Sequence, residues 1–472
     1  MASKEKDLKN SIRDGAFYSI AAGAGEAYLA AYAVLRGASE AFIGSLSSLP
    51  ALLGAFIQIA APYAANRYRN RKKMVLFAVS LNAVSWLLML STVFLSVEIA
   101  LPLLLVFFTV YVVSNAFTNP LWSGWMAEIV PEKIRGSFIG RRNSVTQLVA
   151  LSATLAAGSL LGLFQDAALL VAFAGLFFVS FLARSISLYY LTRISDDDAK
   201  SPVFVENPLD FIKNPVNAET RNLVLYSCLF LVTVHLAAPF FVVYEFRDLG
   251  FTYFEFTVLL LAAGIARVVA MRYWGGLSQS FGSKTILFSC TVFASLIPLL
   301  WLTTTNFYVL ALFEVFSGFT WAGIEFALFT YVLSSASQDR VPALISNYNF
   351  FAGVARFAGA SLGIILLLFF NDHALFGLIG IPALFLVSGA ARLAVSFLMS
   401  YSLRDLPLLV PLGRHPLLIK INSLHPSRDL FHSRHLIMHT GSDVASKTID
   451  KGARIIRKGR RRVDMMRHKN GL

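Results

Sequence analysis

Apolar runs of membrane-crossing length, separated by short polar breaks, recur along this chain at roughly 15–36, 40–64, 74–95, 99–127, 142–163, 167–191, 222–246, 253–278, 285–304, 307–337, 345–370 and 374–402. A helix needs about 20 mostly apolar residues to span a bilayer, so the pattern predicts an all-α polytopic membrane protein with twelve transmembrane helices. The fourth and tenth runs are long enough to extend beyond the bilayer. One polar stretch, 192–221, interrupts the series at its midpoint. It carries Asp196, Asp197 and Asp198, then Pro202, Pro208 and Pro215, and reads as a linker with one short helix. The expected organisation is an N-terminal segment 1–14, a six-helix half 15–191, the linker 192–221, a second six-helix half 222–402 and a tail 403–472.

The halves repeat one another. Val179, Ser180, Ala183 and Arg184 recur as Val387, Ser388, Ala391 and Arg392, an offset of 208. The break LFQDAAL at 163–169 returns as FFNDHAL at 369–375, and Asn143 as Asn349, both at an offset of 206. Each match is short, but together they fall at equivalent places in the span order. Duplicated halves with a binding site between them are a standard construction of secondary transporters.

Composition agrees with this reading. Of 472 residues, 56% are hydrophobic and only 14% charged, with mean hydropathy +0.64. A soluble chain of this length would expose more apolar surface than water tolerates. The apolar stretch from Phe17 contains Glu26 and has no well-placed small-residue cleavage site, so it reads as a span, not a secretory signal. The net charge of +14 is uneven: residues 403–472 hold 15 Lys plus Arg against 5 Asp. Among the short loops, one carries Arg67, Arg69, Arg71, Lys72 and Lys73, and another Lys133, Arg135, Arg141 and Arg142. The opposite side has little beyond Arg36 and Arg247. The excess of positive charge predicts both termini on the cytoplasmic side of a cell (plasma or inner) membrane. It suits a basic membrane face better than a nucleic-acid binder. Cys228 and Cys290 lie in separate apolar runs and suggest neither a disulfide framework nor a metal site.

Two loops carry a further signal. Between spans two and three the chain reads PYAANRYRNRKK (62–73), and between spans eight and nine GGLSQSFGSK (275–284). After span four comes WMAEIVPEKIRGSFIGRRN (125–143). With the two six-helix halves, these stretches resemble the major facilitator superfamily over residues 15–402. The family's loop pattern is Gly-x-x-x-Asp-basic-x-Gly-basic-basic. Arg67, Arg71 and Lys72 keep its basic character in the first copy, with Pro62 for Gly and Asn66 for Asp. Gly275, Leu277, Gly282 and Lys284 match in the second, with Gln279 for the acid and Ser280 for a basic residue. The resemblance implies loops that help close one face, with Arg135 among their residues. Glu128, Glu132 or Asp339 are candidates to replace the missing acid. Span five, VALSATLAAGSLLG, lacks the proline of the drug–proton antiporter motif.

The resemblance also implies that spans one, four, seven and ten line a central cavity, flanked by two, five, eight and eleven. Ionisable groups at membrane depth cost about 2.5–3.5 kcal/mol at a helix centre and are read as functional candidates. Glu26 (span one) and Glu325 (span ten) are the expected proton or cation sites. Arg267 (span eight) and Arg356 (span eleven) are expected to bind an anionic group or to neutralise the glutamates. His235 (span seven) and Glu314 (span ten, nearer the outer surface) follow. Tyr28 lies close to Glu26, Asn115 and Asn119 share a face of span four, and Trp321 shares a face with Glu325. Arg184 and Arg392 are expected to snorkel to the headgroups.

In the tail, His432, His435 and His439, with His425 and His415 upstream, have no Cys or carboxylate partners to make a metal motif, so no metal is expected. The stretch 451–469 alternates basic clusters with Ile455, Ile456, Val463, Met465 and Met466, as an interfacial helix on anionic lipid headgroups does. No Gly-rich nucleotide loop is present, and no cofactor is expected. The expected function is secondary active transport of a small organic solute by alternating access, with protons as a candidate coupling ion, by a monomer that is not an enzyme. The alternative is a non-transporting membrane sensor or scaffold signalling through the tail. Import or export, and substrates of zwitterionic, anionic or sugar type, remain open at this level.

Overall fold

A computed structural model describes residues 2–68, 70–164, 166–195, 206–214, 218–335 and 341–402. Asp196, Asp197 and Asp198, Asp339 and the whole basic tail, with its histidines and its proposed lipid-binding stretch, lie outside the described residues. Among the described residues all regular elements are helical. Eleven helices are long and apolar enough to cross a membrane. The first expected span is not among them, because it is divided: α1 (Ala2–Ala24) ends at Gly25, a tight turn covers Glu26–Tyr28, and α2 (Leu29–Leu35) resumes. Thus α1 begins at Ala2 and runs unbroken into the membrane. Its polar start docks on the end of the sixth span, where Asp7 accepts hydrogen bonds from the Ser195 backbone N–H (3.1 Å) and hydroxyl (2.5 Å).

The first half continues with α3 (Glu40–Tyr68), α4 (Arg71–Ser91), α5 (Val97–Ile129), α6 (Glu132–Leu161) and α7 (Asp166–Thr192). In the linker, α8 (Pro208–Lys213) is capped by the Asn207 side chain, which accepts from the Leu209 N–H.

The seventh span, equivalent to the first under the repeat, is also broken. After α9 (Ala218–His235) the chain makes a turn at Ala238–Phe240, a short α10 (Phe241–Val243) and one π-helical turn over Tyr244–Asp248. A break frees carbonyls that the helix would have paired, and in lipid every such group needs a partner. The last span supplies them: Ser388 donates to the Thr233 carbonyl (2.7 Å) and Arg392 to that of Val234 (3.2 Å).

Spans eight and nine form α11 (Tyr253–Leu300), turned back at Gly282, whose φ of 75° is one that residues with a Cβ rarely adopt. That requirement explains the glycine in the second loop motif. The half ends with α12 (Phe307–Ser335), α13 (Val341–Asp372) and α14 (Ile381–Ser402).

The halves meet along α3 with α13 and α6 with α11, through small residues that let the backbones approach. Gly353 lies against Ala51 and Ala55, Gly44 against Ile364, and Gly158 against Thr257. Two further inter-half contacts lie toward the face opposite the N-terminus. There Arg247 pairs with Glu40 (2.9 Å) and donates to the Ala38 carbonyl. The Tyr28 hydroxyl bonds both the Thr154 carbonyl and the Thr257 hydroxyl at 2.7 Å.

Candidate functional site

Behind this closed end lies a cavity of about 500 Å³ lined by both halves. Glu26, Leu29 and Phe108 come from the first half, and Glu245, Phe256, Glu314, Trp321 and Arg392 from the second. The breaks in the first and seventh spans place their residues here. Glu26 sits in the turn that interrupts span one, and Glu245 in the π-helical turn that ends span seven. Glu26 accepts a hydrogen bond from the buried Tyr111 hydroxyl at 2.6 Å. Glu314 faces Ser317 and the Trp301 indole.

A second, smaller pocket of about 270 Å³ lies nearer the N-terminal face, wholly within the first half. Asp14, Tyr18, Asn115, Asn119, Arg142 and Arg184 line it. Asp14 is paired with Arg142 (3.5 Å) and accepts from Ser187 (2.7 Å). Arg142 stacks over Trp122 and Arg184 over Tyr18, at 4.1 and 4.7 Å. Tyr18 lies within electrostatic reach of Tyr111 and of Glu26, so two phenols stand between this pocket and Glu26.

Among the sequence candidates, then, Glu26 and Trp321 line the central cavity. Asn115 and Asn119 belong to the second pocket. Tyr28, expected beside the ligand, spends its hydroxyl on joining the halves at the closed end. His235 is partly buried, near Arg356 and Arg392, and its Nδ1 has no hydrogen-bond partner among the described residues; it does not line the cavity. Arg267 and Glu325 form an ion pair at 3.3 Å, half-exposed. Arg356 is exposed, with Tyr348 in electrostatic reach of it and of Glu325. Glu314, placed near the outer surface by its sequence position, lies on the cavity.

The sequence profile of the Major Facilitator Superfamily matches residues 15–360. The chain belongs to the major facilitator superfamily. A search of curated proteins finds no significant relative. Solved structures share the fold at low identity. A mutant of the nucleoside transporter NupG aligns with TM-score 0.65 and 12% identity, over 84% of this chain and 100% of its own. A D-xylose–proton symporter aligns with TM-score 0.63 and 14% identity, over 85% and 97%. A POT family transporter in complex with 5-aminolevulinic acid aligns with TM-score 0.65 and 13% identity, over 84% and 96%.

The superfamily's loop motif lacks its acid here, yet its basic residues are engaged. Arg71 is buried and pairs with Glu128 at the end of α5 (2.7 Å). Lys72 donates to the Ile194 carbonyl (2.6 Å), and Arg135 to that of Ala127 (2.9 Å). Asn70 caps α4 by accepting from the Lys73 N–H. Arg67 is exposed. These bonds fasten the loops of the first half to its own spans and to the start of the linker at Ile194. In the second copy Gly282 makes the turn, Gly275 lies within the helix before it, and Lys284 is buried after it.

Two readings change. Arg184 and Arg392 do not snorkel: both are buried, at 4% and 3% exposure. Arg184 donates to Asn82 and Ser187, and Arg392 to Ser388 and two carbonyls. Each arginine is anchored by polar groups that only the folded half provides. Glu245 carries little signal in the sequence because it stands at the very end of the expected span 222–246, next to Arg247 and Asp248, where charges at a membrane surface are ordinary. Tyr111 has only a faint signal, a hydroxyl in a long apolar span.

Proposed function

We propose that the protein is a secondary transporter that carries a small organic solute by alternating access, coupled to protons through Glu26. The observation that carries this reading is the cavity between two halves, bounded at one end by inter-half contacts and lined by three carboxylates, of which Glu245 is buried. Rocking of the halves about this site exchanges the closed end for an open one. The face with the N-terminus and the basic loops is assigned to the cytoplasm, on the distribution of Lys and Arg.

Proton coupling needs an ionisable group at the site and a route to it. Glu26 is the group, and the Tyr111 and Tyr18 hydroxyls are the route. Each hydroxyl can take a proton on its oxygen while releasing its own, so a proton from water in the Asp14 pocket passes through Tyr18 and Tyr111 to the Glu26 carboxylate. Glu26 releases it when a cationic group or the opposite face is presented.

The test begins with a thermal-shift screen of metabolites against purified protein, since a ligand selective for the native state stabilises it. A hit is then followed as radiolabelled uptake into proteoliposomes under an imposed pH gradient. Expected is gradient-driven uptake that collapses with a protonophore and becomes gradient-independent in Glu26→Gln. A ligand that binds but is never carried favours the sensor or scaffold reading.

A further inference from the structure

The charge balance of the central cavity narrows its ligand. Three carboxylates and one guanidinium line it. The guanidinium is already committed: Arg392 Nε donates to the Ser388 hydroxyl (3.1 Å), and its two Nη atoms to the Ala294 and Val234 carbonyls (3.1 and 3.2 Å). Arg267, the next cation in reach of Glu314, is paired with Glu325. His235 and Arg356 do not line the cavity.

Glu245 is the telling group. It is 6% exposed and faces the cavity. Among the described residues its carboxylate has neither ion-pair nor hydrogen-bond partner, and its electrostatic neighbour is another carboxylate, Glu314. Burying an acid beside an acid, with no cation supplied by the protein, is costly. A positively charged ligand placed between them removes that cost. The remaining wall is aromatic and aliphatic, with Phe108, Phe241, Phe256 and Trp321 prominent. Ring faces attract ammonium groups, and a cavity of this volume holds a small organic molecule.

We propose that the transported solute is an organic cation, an ammonium group on an apolar or aromatic body, held by Glu245 and Glu314 against the aromatic wall. This rests on the transporter reading for the word transported, but the binding site stands by itself.

The test uses three probes of one shape: benzyltrimethylammonium, benzyl alcohol and phenylacetate. Their binding to the full chain in lipid nanodiscs is measured by calorimetry. The cation should bind at least about tenfold more tightly than either other probe, the discrimination one desolvated charge contact supplies. Glu245→Gln should lose about as much, and Glu314→Gln should reproduce the loss. Each variant's fold is checked by its melting transition, and where one single variant fails to fold the other carries the test. Preference for the anion, equal binding of all three, or no binding of the cation overturns the proposal, as does undiminished affinity in both variants. Uptake into proteoliposomes separates the two readings. A cation bound through Glu245 but never carried leaves the site and removes the transporter. A carried solute that is neutral or anionic does the reverse.

Discussion

The break in the seventh span leaves backbone carbonyls that side chains of the last span satisfy. Arg392 stitches the last span to the carbonyls freed by the break in the seventh. Replacing it with Leu leaves the Val234 carbonyl and that of Ala294 short of a partner, at roughly 1–3 kcal/mol for each group. Arg392→Leu should therefore lower the melting temperature in nanodiscs clearly, whereas a headgroup-seeking arginine would leave it unchanged. Tyr111→Phe removes one hydroxyl from the proposed proton route while leaving the ring packed against Trp86 and Phe108. Proton-driven uptake should fall by about tenfold or more, in the range of a lost proton-transfer group, with ligand affinity nearly intact. Equal loss of affinity and rate would instead make Tyr111 a packing or ligand residue. Glu26 and Trp321 were legible in the sequence because an acid or a large polar ring at membrane depth is conspicuous. Glu245 was not, because an acid at the end of a span is ordinary, and only the π-helical turn sets this one on the cavity. The fates of Arg184 and Arg392 were hidden for a related reason: a sequence shows a charge at a span's end, not the carbonyl or the Asn82 oxygen waiting for it.

Helices divided at Glu26 and after His235 lie at equivalent places in the two halves, and they are where hydropathy reads least well. The run 15–36 appears as one segment, yet Gly25 interrupts it, and its polar half extends the helix back to Ala2. Apolar content fixes that a segment crosses; it says little about where the backbone pauses. The closed end depends on small residues along α3, α6, α11 and α13. A Cβ at Gly158 would overlap the Thr257 hydroxyl and crowd that of Tyr28. Gly158→Leu should hold this end apart. In a background without Cys228 and Cys290, a cysteine replacing the cavity residue Ser47 should react faster with an impermeant maleimide from that side than with Gly158 in place. Unchanged labelling would show that the α6–α11 contact is not the seal.

Taken whole, the all-helical membrane fold and the family were readable from run lengths and the loop stretches. The closed end was not, because it is made by contacts between residues some two hundred positions apart, such as Glu40 with Arg247 and Tyr28 with Thr257. In the proposed mechanism those contacts define one of two states, and protons and solute shift the population between them. Spin labels at Leu163 and Tyr308, exposed positions flanking the closed end on opposite halves, report that population directly by their separation in nanodiscs. The proposed mechanism requires a short and a long distance whose proportions change between acidic and alkaline pH, and a fixed proportion in Glu26→Gln. A single distance at every pH, with or without a bound organic cation, would contradict alternating access in this protein.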